Sequence, residues 1–295
     1  MFNISPRQLQ VFVETVAAGS LRAAAERLCL TQPAASMALA ELERLLGAPL
    51  FDRARGRLHL NARGRELLPR AQELLERHAE FSRLATATPA ALTGELRIGT
   101  SNTVGSYRVG ELLQDFVRMA PQVSIRLRVG NTDGIARALL AHELDIACVE
   151  GPVLHAALEA VHWRDDALVV CTPAGHPLAA RRRLAAADFA GVGWVIREAG
   201  SATRGLTEQV LAQLPPPRMR LELDQTEAIK QAVVAGLGIA LLPEVAVQDA
   251  LAAGRLRALH TPFLQPFLRR RLSLLLPRGR YRGALLEAFL RATIG

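Results

Sequence analysis

Apolar positions in the first 50 residues recur at the spacing of helix faces. A first helix is predicted over residues 6–18, whose inner side carries Leu9, Phe12, Val13 and Val16. Gly19 is a natural carboxyl-terminal stop for this helix, and Gly47 closes a later one in the same way. Ser20 and Thr31 are residue types that cap helix starts, and each precedes a further apolar pattern. The chain is therefore expected to begin with three short helices joined by tight turns.

The pattern then changes to two short strands and one long helix. Phe51, Leu58 and Leu60 flank a basic tip at residues 53–57, which predicts a two-stranded wing. Asn61 is placed to cap a helix over about residues 62–85. Its stripe has roughly heptad spacing and consists of Leu67, Ala71, Leu74, Leu75, His78, Phe81 and Leu84. Such a helix is about 33 Å long, so its stripe is expected to need a partner helix.

Beyond residue 94, strands alternate with helices. One strand shows a clear period of two, formed by Val123, Ile125, Leu127 and Val129. The order strand, helix, strand, helix, strand indicates a parallel sheet. The alternation of strands and helices repeats after Trp163, and the next strand is predicted at residues 167–171. The sequence therefore predicts two small α/β lobes with a cleft between them.

The predicted fold class is α+β, in three parts. A winged helix-turn-helix domain occupies residues 1–60, and a linker helix for dimerisation occupies residues 61–88. A two-lobed α/β domain occupies residues 94–295. Within it, lobe I is assigned to about residues 94–163 and 268–295, and lobe II to about residues 164–267.

Composition and charge narrow the class of protein. Half of the residues are hydrophobic and 22% are charged, so the chain can bury substantial cores. No apolar run reaches the length of a membrane span and no secretory signal is visible, so we expect a cytoplasmic protein without a membrane partner. Cys29, Cys148 and Cys171 lie far apart, which argues against disulfides or a cysteine zinc site. No metal or other cofactor is expected.

The net charge of +8 is concentrated at the two ends of the chain. Residues 1–70 hold ten Arg against six Asp and Glu, and residues 264–295 hold seven Arg against Glu287 alone. A basic amino-terminal domain is typical of nucleic-acid binding, because neutralised phosphates release counterions. The run Arg269, Arg270 and Arg271 begins a predicted strand, and there we expect a solvated edge rather than a contact to DNA or acidic lipid.

The third helix is the candidate probe for duplex DNA. A helix-turn-helix lays its second helix along the major groove, so outward positions near that helix's start must reach bases and phosphates. Gln32 suits a bidentate contact to adenine, and Thr31 and Ser36 suit phosphates. The predicted DNA-binding set is Ser20, Arg22, Thr31, Gln32, Pro33, Ser36, Arg53 and Arg55. The alternative is a helical hairpin in which the Thr and Ser residues serve only as caps.

Hydroxyl-rich turns at predicted strand ends form a second candidate site. The turn at residues 99–105 leads from a strand into a helix, where free backbone N–H groups favour an anion. Similar turns recur at residues 130–132 and 201–203, and open α/β sheets bind ligands at such ends. The predicted set is Ser101, Asn102, Thr103, Asn131, Thr132, Glu150, Arg197, Ser201 and Thr203, with Arg204 as a further source of charge. An ordinary capping loop is the alternative at residues 99–105.

Residue types typical of enzymes are present but not arranged for catalysis. His142, Glu143 and Asp145 are close in sequence, yet no metal-ligand spacing accompanies them. The glycines at 236 and 238 lack the third glycine of a dinucleotide fingerprint and predict a helix-to-strand turn. No Ser, His and Asp arrangement stands out. The chain is therefore not expected to be an enzyme.

Three amino-terminal segments resemble the signature of LysR-type transcriptional regulators. Residues 20–28 read SLRAAAERL, residues 31–36 read TQPAAS and residues 42–53 read LERLLGAPLFDR. The remainder resembles that family's periplasmic-binding-protein-like effector domain, so the likeness covers nearly the full chain. It implies dimerisation through the helix after Asn61 and DNA contacts from Thr31, Gln32, Pro33, Ser36 and Arg53.

The chain departs from the family pattern at positions relevant to DNA reading. Members often carry a basic or polar residue where Met37 and Ala40 stand, so the third helix is expected to read thymine methyls more than phosphates. Asn61 replaces the usual Thr at the start of the linker helix and still caps it. Residues 99–107 and 196–204 look most like a subgroup of sulfite-reductase and Calvin-cycle operon activators, whose co-inducer is a small anion or metabolite.

The sequence thus predicts a sequence-specific DNA-binding transcription regulator that responds to a small-molecule, anionic co-inducer. The expected partners are double-stranded promoter DNA, the co-inducer, RNA polymerase and further copies of this chain in a homodimer or homotetramer. The alternative is a solute-binding or catalytic α/β protein whose helical amino-terminal domain serves oligomerisation. The effector, the operator and the direction of regulation stay open.

Overall fold

The computed structural model describes residues 4–54, 57–85 and 92–294 and divides the chain into two compact units. The amino-terminal unit comprises Met1–Leu92 with Gly279–Glu287, and the second unit, here called the effector unit, comprises Thr93–Arg278 with Ala288–Gly295. The predicted α+β fold class is confirmed. The predicted domain limits stay predictions.

The amino-terminal unit begins with the three expected helices. They are α1 (Pro6–Ala18), α2 (Leu21–Arg27) and α3 (Gln32–Leu46). Ser20 and Thr31 cap α2 and α3 by accepting hydrogen bonds from the N–H groups of Ala23 and Ala34, as predicted. Gly19 ends α1 with φ +71°, a left-handed conformation that favours glycine. These caps fix the tight turns that hold the three helices together.

The wing and the long helix follow in the predicted order. Strands β1 (Phe51–Ala54) and β2 (Arg57–Leu60) pair antiparallel, and α4 spans Ala62–Ala85. The side chain of Asn61 accepts a 2.8 Å hydrogen bond from the N–H of Gly64 and so caps α4. A Cβ at position 64 would stand 2.3 Å from the carbonyl oxygen of Leu50, so only glycine fits there. The start of α4 thus packs closely on its own domain.

Lobe I of the effector unit contains a short parallel sheet. Its first elements are β3 (Gly94–Ser101), α5 (Val109–Met119), β4 (Val123–Gly130), α6 (Thr132–Leu140) and β5 (Ile146–Glu150). A π-helical turn at Val104–Arg108 joins β3 to α5. Strand β3 pairs parallel with both β4 and β5, as the alternation of strands and helices predicts. The carboxyl ends of these three strands therefore meet at one edge of the lobe.

Two long strands connect the lobes. Strand β6 (Leu158–Pro173) is continuous over 16 residues, whereas the sequence pattern predicted a strand only at residues 167–171. Lobe II follows with β7 (Gly193–Arg197), α7 (Ala202–Leu211), β8 (Met219–Leu223), α8 (Thr226–Val234), β9 (Ala240–Pro243), α9 (Glu244–Ala252) and β10 (Leu256–Ala258). The chain returns through β11 (Arg269–Pro277) and ends in α10 (Ala284–Ile294).

The central sheet is mixed rather than purely parallel. Its strand order is β10, β6, β11, β5, β3, β4, with β9 also paired to β6. Strand β11 runs antiparallel to both β5 and β6, because the chain comes back from lobe II in the opposite direction. Since β6 and β11 cross from one lobe to the other, the residues where they cross lie at the cleft.

Candidate functional site

The outer face of α3 is open to solvent. Gln32, Pro33 and Ser36 are exposed, and the Met37 side chain beside them is 74% exposed. On the opposite face, Ala35 and its neighbours Leu39 and Leu42 are buried in the core of the unit. The helix is thus held by its inner side, and the side chains predicted to meet DNA project outward.

Other predicted DNA-binding residues also lie at this surface. The hydroxyl oxygens of Ser20 and Thr31 accept capping hydrogen bonds of 3.2 and 3.3 Å, and their O–H groups stay available to donate. Arg22 forms an exposed 3.2 Å ion pair with Glu26, which is too weak to withhold its charge from a phosphate. Arg53 lies in β1 opposite Leu58, but its side chain, like the whole of Arg55, falls outside the described residues.

The apolar stripe of α4 is only partly covered within the chain. Leu68 and Ala71, near the start of the helix, are buried in the domain core. Farther along, Leu74 is 56% exposed and Phe81 is 72% exposed. Large apolar side chains in a row on an exposed helix are typical of a helix–helix interface. The stripe therefore fits the partner helix that its heptad spacing predicts.

The cleft residues predicted from the sequence come together at the strand ends, and every one of them except Asn131 is buried. The buried members are Ser101, Asn102, Thr103, Thr132, Glu150, Arg197, Ser201 and Thr203. They come from the ends of β3, β5 and β7 and from the starts of α6 and α7. This is the edge at which open α/β sheets bind ligands.

Arg270 is the centre of this cluster, and the sequence analysis did not include it. Its guanidinium donates to Asp166 at 2.8 Å, to the Thr103 hydroxyl at 3.0 Å and to the Thr203 hydroxyl at 2.7 Å. The Glu150 carboxylate lies 3.6 Å away, and it accepts a 2.9 Å hydrogen bond from Thr103. One buried cation thus compensates two buried carboxylates and joins residues of both lobes.

The expectation of a solvated edge at residues 269–271 was wrong for Arg270. Strand β11 lies between β5 and β6, so it is not an edge strand. Side chains alternate along a strand, which leaves Arg269 and Arg271 exposed and turns Arg270 inward, where its side chain is 2% exposed. The register that sets Arg270 opposite Asp166 could not be predicted from the spacing of residues in the sequence.

The two other predicted cations are held by acidic neighbours. Arg197 pairs with Glu198 at 2.7 Å and donates to the Thr226 hydroxyl at 3.2 Å. Burial opposes ionisation of Glu198, but the hydrogen bond and charge of Arg197 outweigh it and lower the pKa of that carboxyl. Arg204 pairs with Glu208 and Glu222, each at 2.7 Å. Neither guanidinium is a free charge in the cleft.

Hydrogen bonds join the lobes across the strand ends. Asn131 caps α6 through a 2.8 Å bond from Gly134, and its amide donates to the carbonyl of Ala199 at 3.3 Å. The backbone N–H of Asp133 donates to the carbonyl of Gly200 at 3.1 Å. Asn131 therefore caps a helix and also links lobe I to the turn that precedes α7.

Three polar atoms in the cluster have no hydrogen-bond partner. They are the hydroxyl oxygens of Thr100 and Ser101 and the second carboxylate oxygen of Glu150, all buried. Buried polar atoms are nearly always satisfied, and an exception calls for a bound water, an ion or a ligand. Thr100 and Ser101 are consecutive in β3 and so face opposite sides of the sheet, which means that one small molecule does not meet both hydroxyls from the same side.

Other residue types give no sign of catalysis. Within residues 4–54, 57–85 and 92–294, no group of His, Cys, Asp and Glu has the arrangement of a metal site. Glu143 and Asp145 form ion pairs with Arg128 and Arg97. Burial raises the pKa of the Cys171 thiol to about 12, so this cysteine is not a nucleophile. Among the described helices, none is long and apolar enough to cross a membrane.

Comparisons with known proteins match the amino-terminal part and the remainder of the chain to two known domain families. Residues 6–65 match the bacterial regulatory helix-turn-helix protein family of the lysR type, and residues 89–294 match the LysR substrate binding domain. The HTH-type transcriptional regulator YeiE of Escherichia coli is 38% identical over 261 residues, which cover 88% of this chain and 87% of that protein.

One further relative belongs to the predicted subgroup, and one solved structure resembles the effector unit. The regulator CbbR of Xanthobacter flavus is 34% identical and covers 92% of this chain and 84% of its own length. The regulatory domain of CcmR from Synechocystis, solved in complex with 2-PG, superimposes with a TM-score of 0.63 at 27% identity. That match covers 68% of this chain and 96% of the CcmR domain.

Proposed function

We propose that this chain, which belongs to the LysR family of bacterial transcriptional regulators, reads promoter DNA with α3 and binds a small anionic effector at the Arg270 cluster. The observation that carries the effector site is the pair of unpartnered buried atoms on Ser101 and Glu150. Relatives of this family are regulators and not enzymes, so the solute-binding or catalytic alternative is set aside.

The geometry defines what the effector must present. An acceptor atom of the effector meets the hydroxyl of Ser101, and its donor meets the free oxygen of Glu150. Helices α6 and α7 begin beside the cluster, and their positive ends favour a negative group on the ligand. The solved CcmR domain holds 2-PG. We therefore take a small phosphorylated or carboxylated acid as the ligand class.

The DNA half of the proposal rests on the exposed face of α3. Gln32 and Ser36 project outward near the start of the helix, where a winged helix-turn-helix touches base edges. LysR-type regulators assemble as oligomers, typically tetramers, and the exposed stripe of α4 supplies the contact between two copies. RNA polymerase as a further partner and a cytoplasmic location remain part of the proposal.

Isothermal titration of the full chain with 2-phosphoglycolate and 3-phosphoglycerate tests the effector site. Ser101→Ala removes one unpartnered hydroxyl and is expected to weaken binding about tenfold. The matched control is Ser106→Ala, which removes an exposed hydroxyl five residues away and is expected to leave affinity unchanged. Equal losses in the two variants, or no heat of binding with either acid, would contradict the proposed site and ligand class.

A further inference from the structure

The outward face of α3 carries an apolar strip, formed by Pro33, Met37 and Ala40. All three residues are exposed, and they stand four and three positions apart, which places them on one side of a helix. The opposite side of α3 is buried, with Ala35 and Leu39 in the core of the unit. The apolar strip is therefore the part of α3 that projects farthest from the core.

Met37 contributes little to the stability of the fold. Its side chain is 74% exposed, whereas the next residue, Ala38, packs against the core of the unit. Single exposed apolar side chains are common on protein surfaces. Met37 is joined by two further apolar residues, and the polar residues Gln32 and Ser36 flank the strip. An apolar strip with a polar rim is typical of a surface that contacts a partner.

The first part of α3 carries no charged side chain. Residues 32–40 read QPAASMALA, and the first charged residues after them are Glu41, Glu43 and Arg44. Guanine is most often read by a bidentate contact from Arg or Lys. Arg44 lies about 18 Å along the helix axis from Gln32, whereas residues near the start of a recognition helix contact base edges. The start of α3 therefore lacks the cations that read guanine.

The major groove offers one group that matches the apolar strip. Thymine presents a C5-methyl group there, and none of the other three bases presents a methyl group. The unbranched thioether of Met37 can adapt its shape to such a contact. Ala40 is small and allows close approach one turn later. The strip from Pro33 to Ala40 is about 10.5 Å long, which corresponds to about three base-pair steps.

We propose that Met37 and Ala40 read the C5-methyl groups of thymines and that Met37 is the residue of α3 that sets this preference. The inference rests on the proposed function, in which the start of α3 lies in the major groove. At the base pairs that face the strip, the regulator then selects thymine by apolar contact and makes no contact between a cation and guanine.

Fluorescence anisotropy with single deoxyuridine substitutions tests the proposal. The duplex is an operator selected in vitro, and each thymine is replaced in turn by deoxyuridine, which pairs with adenine and lacks only the C5-methyl group. The wild-type chain is expected to lose about fourfold in affinity at the thymine that contacts Met37, which is the effect of one buried methyl group. Met37→Ala is expected to bind the two duplexes equally.

Met119→Ala is the matched control. Met119 is 51% exposed but belongs to α5 in the effector unit, so this variant is expected to lose the same affinity as the wild type on deoxyuridine substitution. A loss that arises from altered duplex shape would be equal in the wild type and in Met37→Ala, because it does not involve the side chain. Only a direct contact makes the deoxyuridine penalty depend on Met37.

Met37→Arg tests the same position by changing its preference. A guanidinium at this place can donate to O6 and N7 of guanine, so the preferred base is expected to change from thymine to guanine. Selection of binding sites from random duplexes, carried out with the variant and with the wild-type chain, measures the change. A retained preference for thymine in Met37→Arg would contradict the assignment of Met37 to this base.

Two outcomes distinguish failure of this inference from failure of the proposed function. In the first, the wild-type chain prefers its operator to random duplex, yet no deoxyuridine substitution weakens its binding more than that of Met37→Ala. The role of Met37 is then overturned, and the proposed function is unaffected. In the second, the wild-type chain shows no preference for any duplex. The proposed function is then contradicted, and this inference with it.

Discussion

The two units use polar side chains in opposite ways. On α3, Gln32 and Ser36 face solvent and contribute little to the fold, and the partner that we propose for them is an external duplex. In the effector unit, Glu150 and Arg270 are buried and paired with each other, whereas the buried Ser101 hydroxyl has no partner within the described part of the fold. A large rigid ligand such as DNA is met at a surface, whereas a small ligand has to be enclosed. The effector site is therefore part of the stability of its unit, and the DNA interface is not.

Arg270→Met is expected to have the largest effect on the stability of the effector unit. It leaves Glu150 and Asp166 buried without a cation, which is expected to cost about 3–5 kcal/mol of the free energy of unfolding. Urea denaturation followed by tryptophan fluorescence reports this loss, because both tryptophans, Trp163 and Trp194, belong to the effector unit.

The control for Arg270→Met is its neighbour on the same strand. Arg271→Met removes an exposed guanidinium and is expected to change the free energy of unfolding by less than about 0.5 kcal/mol. If the two variants were equally stable, Arg270 would not be the cation that holds the buried carboxylates.

A charge on the stripe of α4 is expected to dissociate the oligomer. Phe81→Glu places a carboxylate among the apolar side chains that we propose meet a partner helix, and the association constant should fall at least about a hundredfold. Sedimentation velocity gives the species present. Ala79→Glu adds the same charge at another exposed position of α4 and should preserve assembly. If both variants dissociated the oligomer, the cause would be added charge on α4 in general, and the apolar stripe would not be the specific contact between two copies.

Changes on α3 are expected to alter DNA selection without touching the fold. Gln32→Ala or Ser36→Ala should reduce discrimination between an operator selected in vitro and random duplex by about 1–3 kcal/mol. The unfolding curve should stay that of the wild type, since both side chains are exposed. Arg55→Ala should instead weaken binding to all duplexes alike. Fluorescence anisotropy over a range of salt concentrations separates the two behaviours.

The rate at which the cysteine thiols react is the smallest expected effect, and it also distinguishes the exposed surface near α3 from the buried interior of the effector unit. Cys29, next to α3, is exposed, whereas Cys148 and Cys171 are buried in the effector unit. Burial raises the pKa of Cys171 to about 12, so its reactive thiolate is scarce at neutral pH. A chromogenic disulfide reagent should titrate one thiol quickly and the other two only after unfolding. Three fast thiols would contradict the burial of the effector unit.

The amino-terminal unit was predictable because its signals are local. Caps, glycine stops and helix periodicity lie within a few residues of each other, and all three helices and the wing formed where these signals indicated. The effector site was predictable only in part. Hydroxyl-rich turns at strand ends gave Ser101, Thr103 and Thr203, but Arg270 meets Asp166 across 104 residues of sequence. Strand register creates that pair, and residue spacing alone does not contain it.

Anisotropy of a labelled operator, measured with and without 2-phosphoglycolate, tests most directly whether the exposed and buried sites carry separate tasks. We predict that Ser101→Ala keeps operator selectivity and loses the response to the acid. We predict that Ser36→Ala loses operator selectivity while the affinity for the acid, measured by calorimetry, stays at the wild-type value. Loss of operator selectivity in Ser101→Ala, or weaker binding of the acid in Ser36→Ala, would contradict the account.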